Sequence, residues 1–218
     1  MIALLIIATF FAAILIDHLL LRRAVPVATT IGPAADRPRP LPAIVGGFAL
    51  RDNYRYHPGH TWAVAETPNL VRIGIDDFAA KVAGNVAKID TPERGQWIRQ
   101  GQKIIALHAD GHEIEMVSPI EGTVVEVNPN AAAAKSDPYG DGWLLTVNSP
   151  DAKTNFRNLL SGSAARRWLD DAAARLRAFA AIPQGAFAQD GGVAVDDILK
   201  NLPETDVKRL NAEFFAIS

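Results

Sequence analysis

The chain has 218 residues, a formal net charge of −2 and no cysteine, a length that allows one ordinary domain with attachments. Near-neutral charge and the lack of a basic run interleaved with aromatics argue against a nucleic-acid partner. The missing cysteines exclude disulfides, thiolate metal sites, cysteine-ligated iron–sulfur clusters and cysteine nucleophiles from this chain.

In chain order, Met1 to Leu21 is apolar except for Thr9, Asp17 and His18, and Arg22-Arg23 follow directly. About 21 helical residues span about 31 Å, close to a bilayer core, so residues 1–23 are expected to form a transmembrane anchor. No basic n-region precedes the apolar run, which argues for an anchor that stays uncleaved. The arginine pair on its C-terminal flank places the soluble part in the cytoplasm, as a single-pass protein of the inner (cell) membrane. Asp17 belongs either to the headgroup region or to a polar contact with a neighbouring membrane helix, which makes it a candidate partner contact. Residues 24–53 carry Pro26, Pro33, Pro38, Pro40 and Pro42 with Gly32, Gly46 and Gly47. That density reads as an extended linker.

From Tyr54 to Val147 short apolar runs alternate with turn residues. Strands are expected at Trp62–Ala65, Leu70–Ile75, Asn85–Ile89, Trp97–Ile98, Lys103–Leu107, Glu113–Val117, Gly122–Asn128 and Gly142–Val147. Such spacing points to a compact barrel or sandwich. Between the second and third lies Asp76–Gly84, with acidic residues in its first turn and glycine at its end, the marks of a short helix. Trp62, Trp97 and Trp143 are expected to pack between sheets. The stretch "IALHADGHEIEMVSP" (residues 105–119) reads as a hairpin closed by Asp110-Gly111, because a type I′ turn needs positive φ at both central residues. His108 and His112 flank that tip. Two imidazoles are too few for a metal site, and solvent-facing polar residues are the simpler account. His57 and His60 are expected to act as structural or capping groups. No Ser/His/Asp set, phosphate-binding loop or framed carboxylate pair is visible, so no catalytic residue, no metal and no cofactor is assigned.

A set of ordered motifs resembles the glycine cleavage system H protein family, lipoyl carriers with a barrel-sandwich hybrid fold. These are His60-Thr61-Trp62, Val71-Arg72-Ile73-Gly74-Ile75-Asp76-Asp77-Phe78-Ala79, Gly84-Asn85-Val86, Ser118-Pro119-Ile120-Glu121-Gly122-Thr123-Val124, Asp141-Gly142-Trp143-Leu144-Leu145 and Asn148-Ser149-Pro150. The resemblance covers about Tyr54 to Arg177. It implies a mainly β domain over residues 54–181 with a C-terminal helix packed on the sandwich. It also implies a lipoyl lysine at a hairpin tip, seven positions before the Ser-Pro. Counting back from Ser118 gives Gly111. A lipoyl amide needs a primary amine, and Leu107 to Ser118 contains no lysine. Lys88 and Lys103 are read as lying away from the tip. A degenerate, non-lipoylated member is therefore expected.

A helix from Ser161 or Ser163 to about Ala181 presents Ala165, Trp168, Leu169, Ala172, Leu176 and Phe179 on one face. In the extension, residues 182–218, helices are expected around Asp196–Asn201 and after Pro203. The apolar ending at Phe214 and Phe215 either packs on its own domain or hooks into a partner subunit. Together these features suggest a non-enzymatic scaffold or accessory subunit bound to other subunits of a membrane complex, a respiratory or redox complex being one such host. The alternatives are a carrier with an atypical attachment site, a periplasmic adaptor of the membrane-fusion type, and a small-molecule binder using the groove that receives the lipoyl arm in the family.

Overall fold

The structure, a computed structural model, describes residues 41–180 and 198–216. The expected anchor over residues 1–23, including Asp17, lies outside the described residues. Among the described residues no helix is long and apolar enough to cross a membrane.

Period-two burial marks several of the strands. In the segment Lys103–Ala109, Ile105, Leu107 and Ala109 are buried while Ile104, Ala106 and His108 are not. The strands in order are β1 (Ala43–Val45), β2 (Phe48–Leu50), β3 (Arg55–Tyr56), β4 (Thr61–Ala65), β5 (Leu70–Ile75) and β6 (Val86–Asp90). Then come β7 (Trp97–Ile98), β8 (Lys103–Ala109), β9 (His112–Val117), β10 (Gly122–Val127) and β11 (Leu145–Asn148). A six-stranded sheet runs β3-β4-β5-β11-β10-β7, and a three-stranded sheet runs β6-β8-β9. One continuous apolar core joins them, with Ile73, Val124 and Val147 from the large sheet and Leu107, Ile114 and Met116 from the small one.

The helix α1 (Asp77–Ala83) starts where Asp76 accepts the Ala79 N–H on its carboxylate, and ends at Gly84 with φ +65°. A side-chain N-cap and a left-handed glycine stop are the local reasons for both ends. After β11 the chain forms α2 (Ala152–Asn155), a 3₁₀ turn at Phe156–Asn158, and α3 (Gly162–Ala180). Ala165, Leu169, Ala172, Leu176 and Phe179 of α3 are buried, the face that the three-and-four spacing gives.

Three expectations change. The stretch through Asn53 is not all linker: β1 and β2 form a hairpin, and Phe48 and Leu50 are buried. The prolines stop at Pro42, and the Gly46-Gly47 turn then fits against α3 so closely that a Cβ on Gly46 would lie 2.5 Å from that of Ala173. The tryptophans divide. Trp62 is fully buried, its indole N–H donating to the Ile75 carbonyl at 2.6 Å, whereas Trp97 on edge strand β7 is 49% exposed. Trp143 is half-buried beneath the Arg72 guanidinium, 4.9 Å from its ring centre. Finally, the strand expected from Gly142 begins only at Leu145, because Gly142 is pressed onto the Ala131–Lys135 3₁₀ turn with no room for a Cβ.

The described part of the extension, residues 198–216, docks on the domain. A 3₁₀ turn (Ile198–Asn201) packs on α1, and α4 (Glu204–Leu210) continues into a π-helical turn (Asn211–Phe215) that packs on β9.

Candidate functional site

The β8–β9 hairpin is the first place to look. Its register pairs Ala109 with His112, which leaves Asp110 and Gly111 as a two-residue loop. Both have positive φ, +49° and +84°, the pairing that a type I′ turn requires. Gly111 is exposed, and a Cβ built on it would meet nothing within 4 Å. The turn conformation, not crowding, is what favours glycine there.

Beside the tip, β6 lies against β8 with Lys88 opposite His108. Lys88 is therefore nearer the tip than its distance in sequence suggests, on the strand next to the hairpin. Its ammonium reaches Asp90 at 2.8 Å, and the same carboxylate meets His108 Nε2 at 2.8 Å. Lys88 first and His108 second hold the Asp90 carboxyl below its usual range. Lys103 stands at the far end of β8, opposite Val117, and pairs with Glu115. Among the described residues no group of three or more acidic or histidine side chains could hold a metal ion. A concavity of about 330 Å³ runs along β8 away from the tip, with Ile104 and Ala106 as its floor and Asp90, Gln96, Lys103 and Glu115 around it.

The second chemically dense place is internal. His60 is fully buried with φ +61°, and its Nδ1 lies 2.8 Å from Asp76 Oδ2. The other Asp76 oxygen caps α1, and the Asp76 N–H donates to the His60 carbonyl, so one carboxylate ties the His60 turn to the helix. The imidazole stacks on Phe78 at 3.9 Å and meets Trp168 at 4.6 Å. Phe214 and Phe215 close the cluster at 6.4 and 5.7 Å, and both are fully buried. That answers the choice left by the sequence: these two phenylalanines pack on their own domain and offer no surface to a partner. Their carbonyl end also presses on the same turn, with the Phe215 oxygen where a Cβ on Gly59 would be, 2.5 Å away. Next to this cluster His57 Nδ1 accepts the Gly59 N–H, and burial, then the nearby His60, lowers the His57 pKa. His57 and His60 are thus structural groups. The aromatic lining of His60 from α3 and the tail was not visible in sequence, since its parts are more than a hundred residues apart.

Comparison with known proteins places the central part of the chain. The family description Glycine cleavage H-protein matches residues 54–172. The chain belongs to the glycine cleavage H-protein family. The glycine cleavage system H protein of Prochlorococcus marinus is 32% identical over 117 residues, covering 52% of this chain and 90% of that one. That of Bifidobacterium longum is 35% identical over 106 residues, covering 47% of this chain and 77% of that one. A probable glycine cleavage system H protein 2 of Sulfurisphaera tokodaii is 32% identical over 110 residues. Among solved structures, a glycine cleavage system H protein from Mycobacterium marinum aligns with a TM-score of 0.46 at 23% identity, over 56% of this chain and 98% of that one. The H-protein-like domain is mainly β with helices C-terminal to it. The β1–β2 hairpin and the docked segment 198–216 lie outside the matched residues.

Proposed function

We propose that this chain is a non-enzymatic, non-lipoylated H-protein-like subunit that scaffolds a membrane complex, anchored through residues 1–23 with its domain in the cytoplasm. On this reading the domain keeps the barrel-sandwich hybrid of its family without the attached arm. The observation that carries the proposal is Gly111. It stands at the tip where the family pattern has its lysine, in open space, with no lysine from Leu107 to Ser118. A group with no side chain cannot form the amide, and neither Asp110 nor His112 supplies an amine.

Purification of the full-length chain in mild detergent, followed by intact mass and identification of co-purifying chains, tests this. The expected result is the unmodified 23.5 kDa chain together with integral membrane subunits. A lipoyl adduct on any lysine would overturn the reading in favour of a carrier with an atypical attachment site. Lys88 is the first lysine to inspect, because it lies across from His108 beside the tip. Protease added to sealed, right-side-out vesicles separates the remaining alternative: digestion of the domain from outside would make it a periplasmic adaptor.

A further inference from the structure

A second concavity, of about 510 Å³, lies on β3 and the segment that follows β11, and it has a different character from the one along β8. Three cations line it: Arg55 from β3, Lys153 from α2 and Arg157 from the adjoining 3₁₀ turn. Phe156, half-buried, and Leu159, buried, supply an apolar floor, and Ser161 adds a hydroxyl. No carboxylate lines it.

Six cations elsewhere on the domain are neutralised in ion pairs. Arg72 pairs with Glu66, Lys81 with Asp77, Lys88 with Asp90, Lys103 with Glu115, Arg166 with Asp52 and Lys208 with Glu204. Arg55, Lys153 and Arg157 have no such partner among the described residues. The nearest acid in sequence, Asp151, is exposed and does not line the concavity. Three unpaired like charges around one hollow, in a chain whose net charge is −2, form a local field that the overall balance does not predict.

The platform under these side chains is fixed at both ends. Tyr56 and Leu160 exchange two backbone hydrogen bonds, 2.9 and 2.8 Å, which ties β3 to the segment carrying Arg157. Asn155 anchors the middle: its side-chain oxygen accepts the Glu121 N–H at 2.6 Å, and its carbonyl accepts Gln100 Nε2 at 3.1 Å. The volume falls in the range of small-molecule sites, about 300–1,000 Å³, where an apolar lining with a few convergent polar groups is usual. Two guanidinium forks match a phosphate bidentately, and an ammonium adds a point charge.

We propose that this groove binds a small organic phosphate monoester, its phosphate held by Arg55, Arg157 and Lys153 and its apolar body lying on Phe156 and Leu159. The site is separate from the hairpin tip and does not depend on the absence of lipoylation.

Isothermal titration of the full-length chain in a nonionic detergent with phenyl phosphate tests the proposal, using inorganic phosphate as the body-less control. The expected result is saturable one-to-one binding that weakens by about tenfold or more when ionic strength rises from about 0.05 to about 0.5 M. Inorganic phosphate is expected to bind about fivefold or more weaker, since it leaves the apolar floor uncovered. The Arg55→Gln/Arg157→Gln variant should lose at least about tenfold in affinity, whereas Lys88→Gln/Lys103→Gln should bind as the parent does. Lys153→Gln, at an exposed position, carries the same test if the double variant fails to fold. Non-saturable binding overturns the proposal. So do equal affinity for inorganic phosphate and unchanged affinity in Lys153→Gln and the double arginine variant.

Discussion

His60 and Asp110 are the two residues other than glycine with positive φ among the described residues, +61° and +49°. They show two ways of sustaining the same unfavourable backbone. Asp110 sits in a turn that demands it, flanked by glycine, exposed, with empty space around its neighbour. His60 sits in the core, and its conformation is held by what its side chain touches: Asp76, Phe78, Trp168 and the two tail phenylalanines. A left-handed residue other than glycine costs about 1–2 kcal/mol, less for aspartate or asparagine. At the tip local geometry offsets that cost and the surroundings are indifferent. At His60 long-range packing offsets it, and the surroundings are committed. The tip can therefore change its chemistry without disturbing the fold, and the His60 cluster cannot.

The sharpest way to break this contrast is through the tail. Phe214→Ala or Phe215→Ala empties a fully buried site and should cost about 3–5 kcal/mol, read as a lower urea midpoint. A loss under about 1 kcal/mol would mean that the tail is not part of the core. Asp76→Ala should follow at about 2–3 kcal/mol, because it removes the cap on Ala79 and leaves His60 Nδ1 without its partner. Asp76→Asn, which can still accept at the cap, should cost less. The reverse order would place the His60 cluster outside the determinants of stability.

Much of this architecture was legible before any coordinates. The acidic first turn of α1, its glycine stop, the Asp110-Gly111 turn and the apolar face of α3 are local signals, and they fixed their elements within a few residues. The hairpin that carries Gly111 at its tip was likewise legible. What was not legible is tertiary. The β1–β2 hairpin was hidden by proline density upstream, and the close approach of Gly46 to Ala173, which leaves no room for a Cβ, is a tertiary contact. Trp97 and Trp62 look alike in sequence, and only the position of β7 at a sheet edge leaves one of them exposed. Lys88 seemed remote from the tip because adjacency of β6 and β8 is a matter of sheet order. The cationic groove joins Arg55 to Lys153 and Arg157 across about a hundred residues, through the Tyr56–Leu160 pairing, which no periodicity announces.

The phenols near the His60 cluster respond to pH, which sharpens the comparison in another way. Burial raises the pKa of Tyr56 and of Tyr139, while the exposed tip carries no such group. A raised pKa favours the neutral phenol in the folded chain. Its contribution is complete below the unfolded value, about 10, and is lost as pH rises above it toward the folded value. Each phenol therefore removes up to about 1.4 kcal/mol of stability per pH unit above 10. Denaturation at pH 9, 10 and 11 should show the urea midpoint falling slightly over the first step and mostly over the last. Tyr139→Phe, which also loses the hydrogen bond to the Ala49 carbonyl, should start less stable and fall less steeply. An unchanged slope would remove the buried phenols from the account.

The smallest effect is expected at the tip itself. Gly111→Lys places an L side chain at φ +84° in open space, so the cost is backbone conformation alone, about 1 kcal/mol. Gly111→Asn should lose less, since asparagine tolerates the left-handed region better. The lysine variant also asks whether an amine at this tip would be enough to take a lipoyl arm. Its neighbours are His108, Ala109, Asp110 and His112, with His108 engaged by Asp90, where the family pattern has Glu-Ser before its lysine. We expect intact mass to show no lipoyl group on Gly111→Lys after co-expression with a lipoyl-attaching enzyme. A lipoylated variant would instead show that the hairpin remained a competent substrate and that a single side chain separates this chain from a carrier.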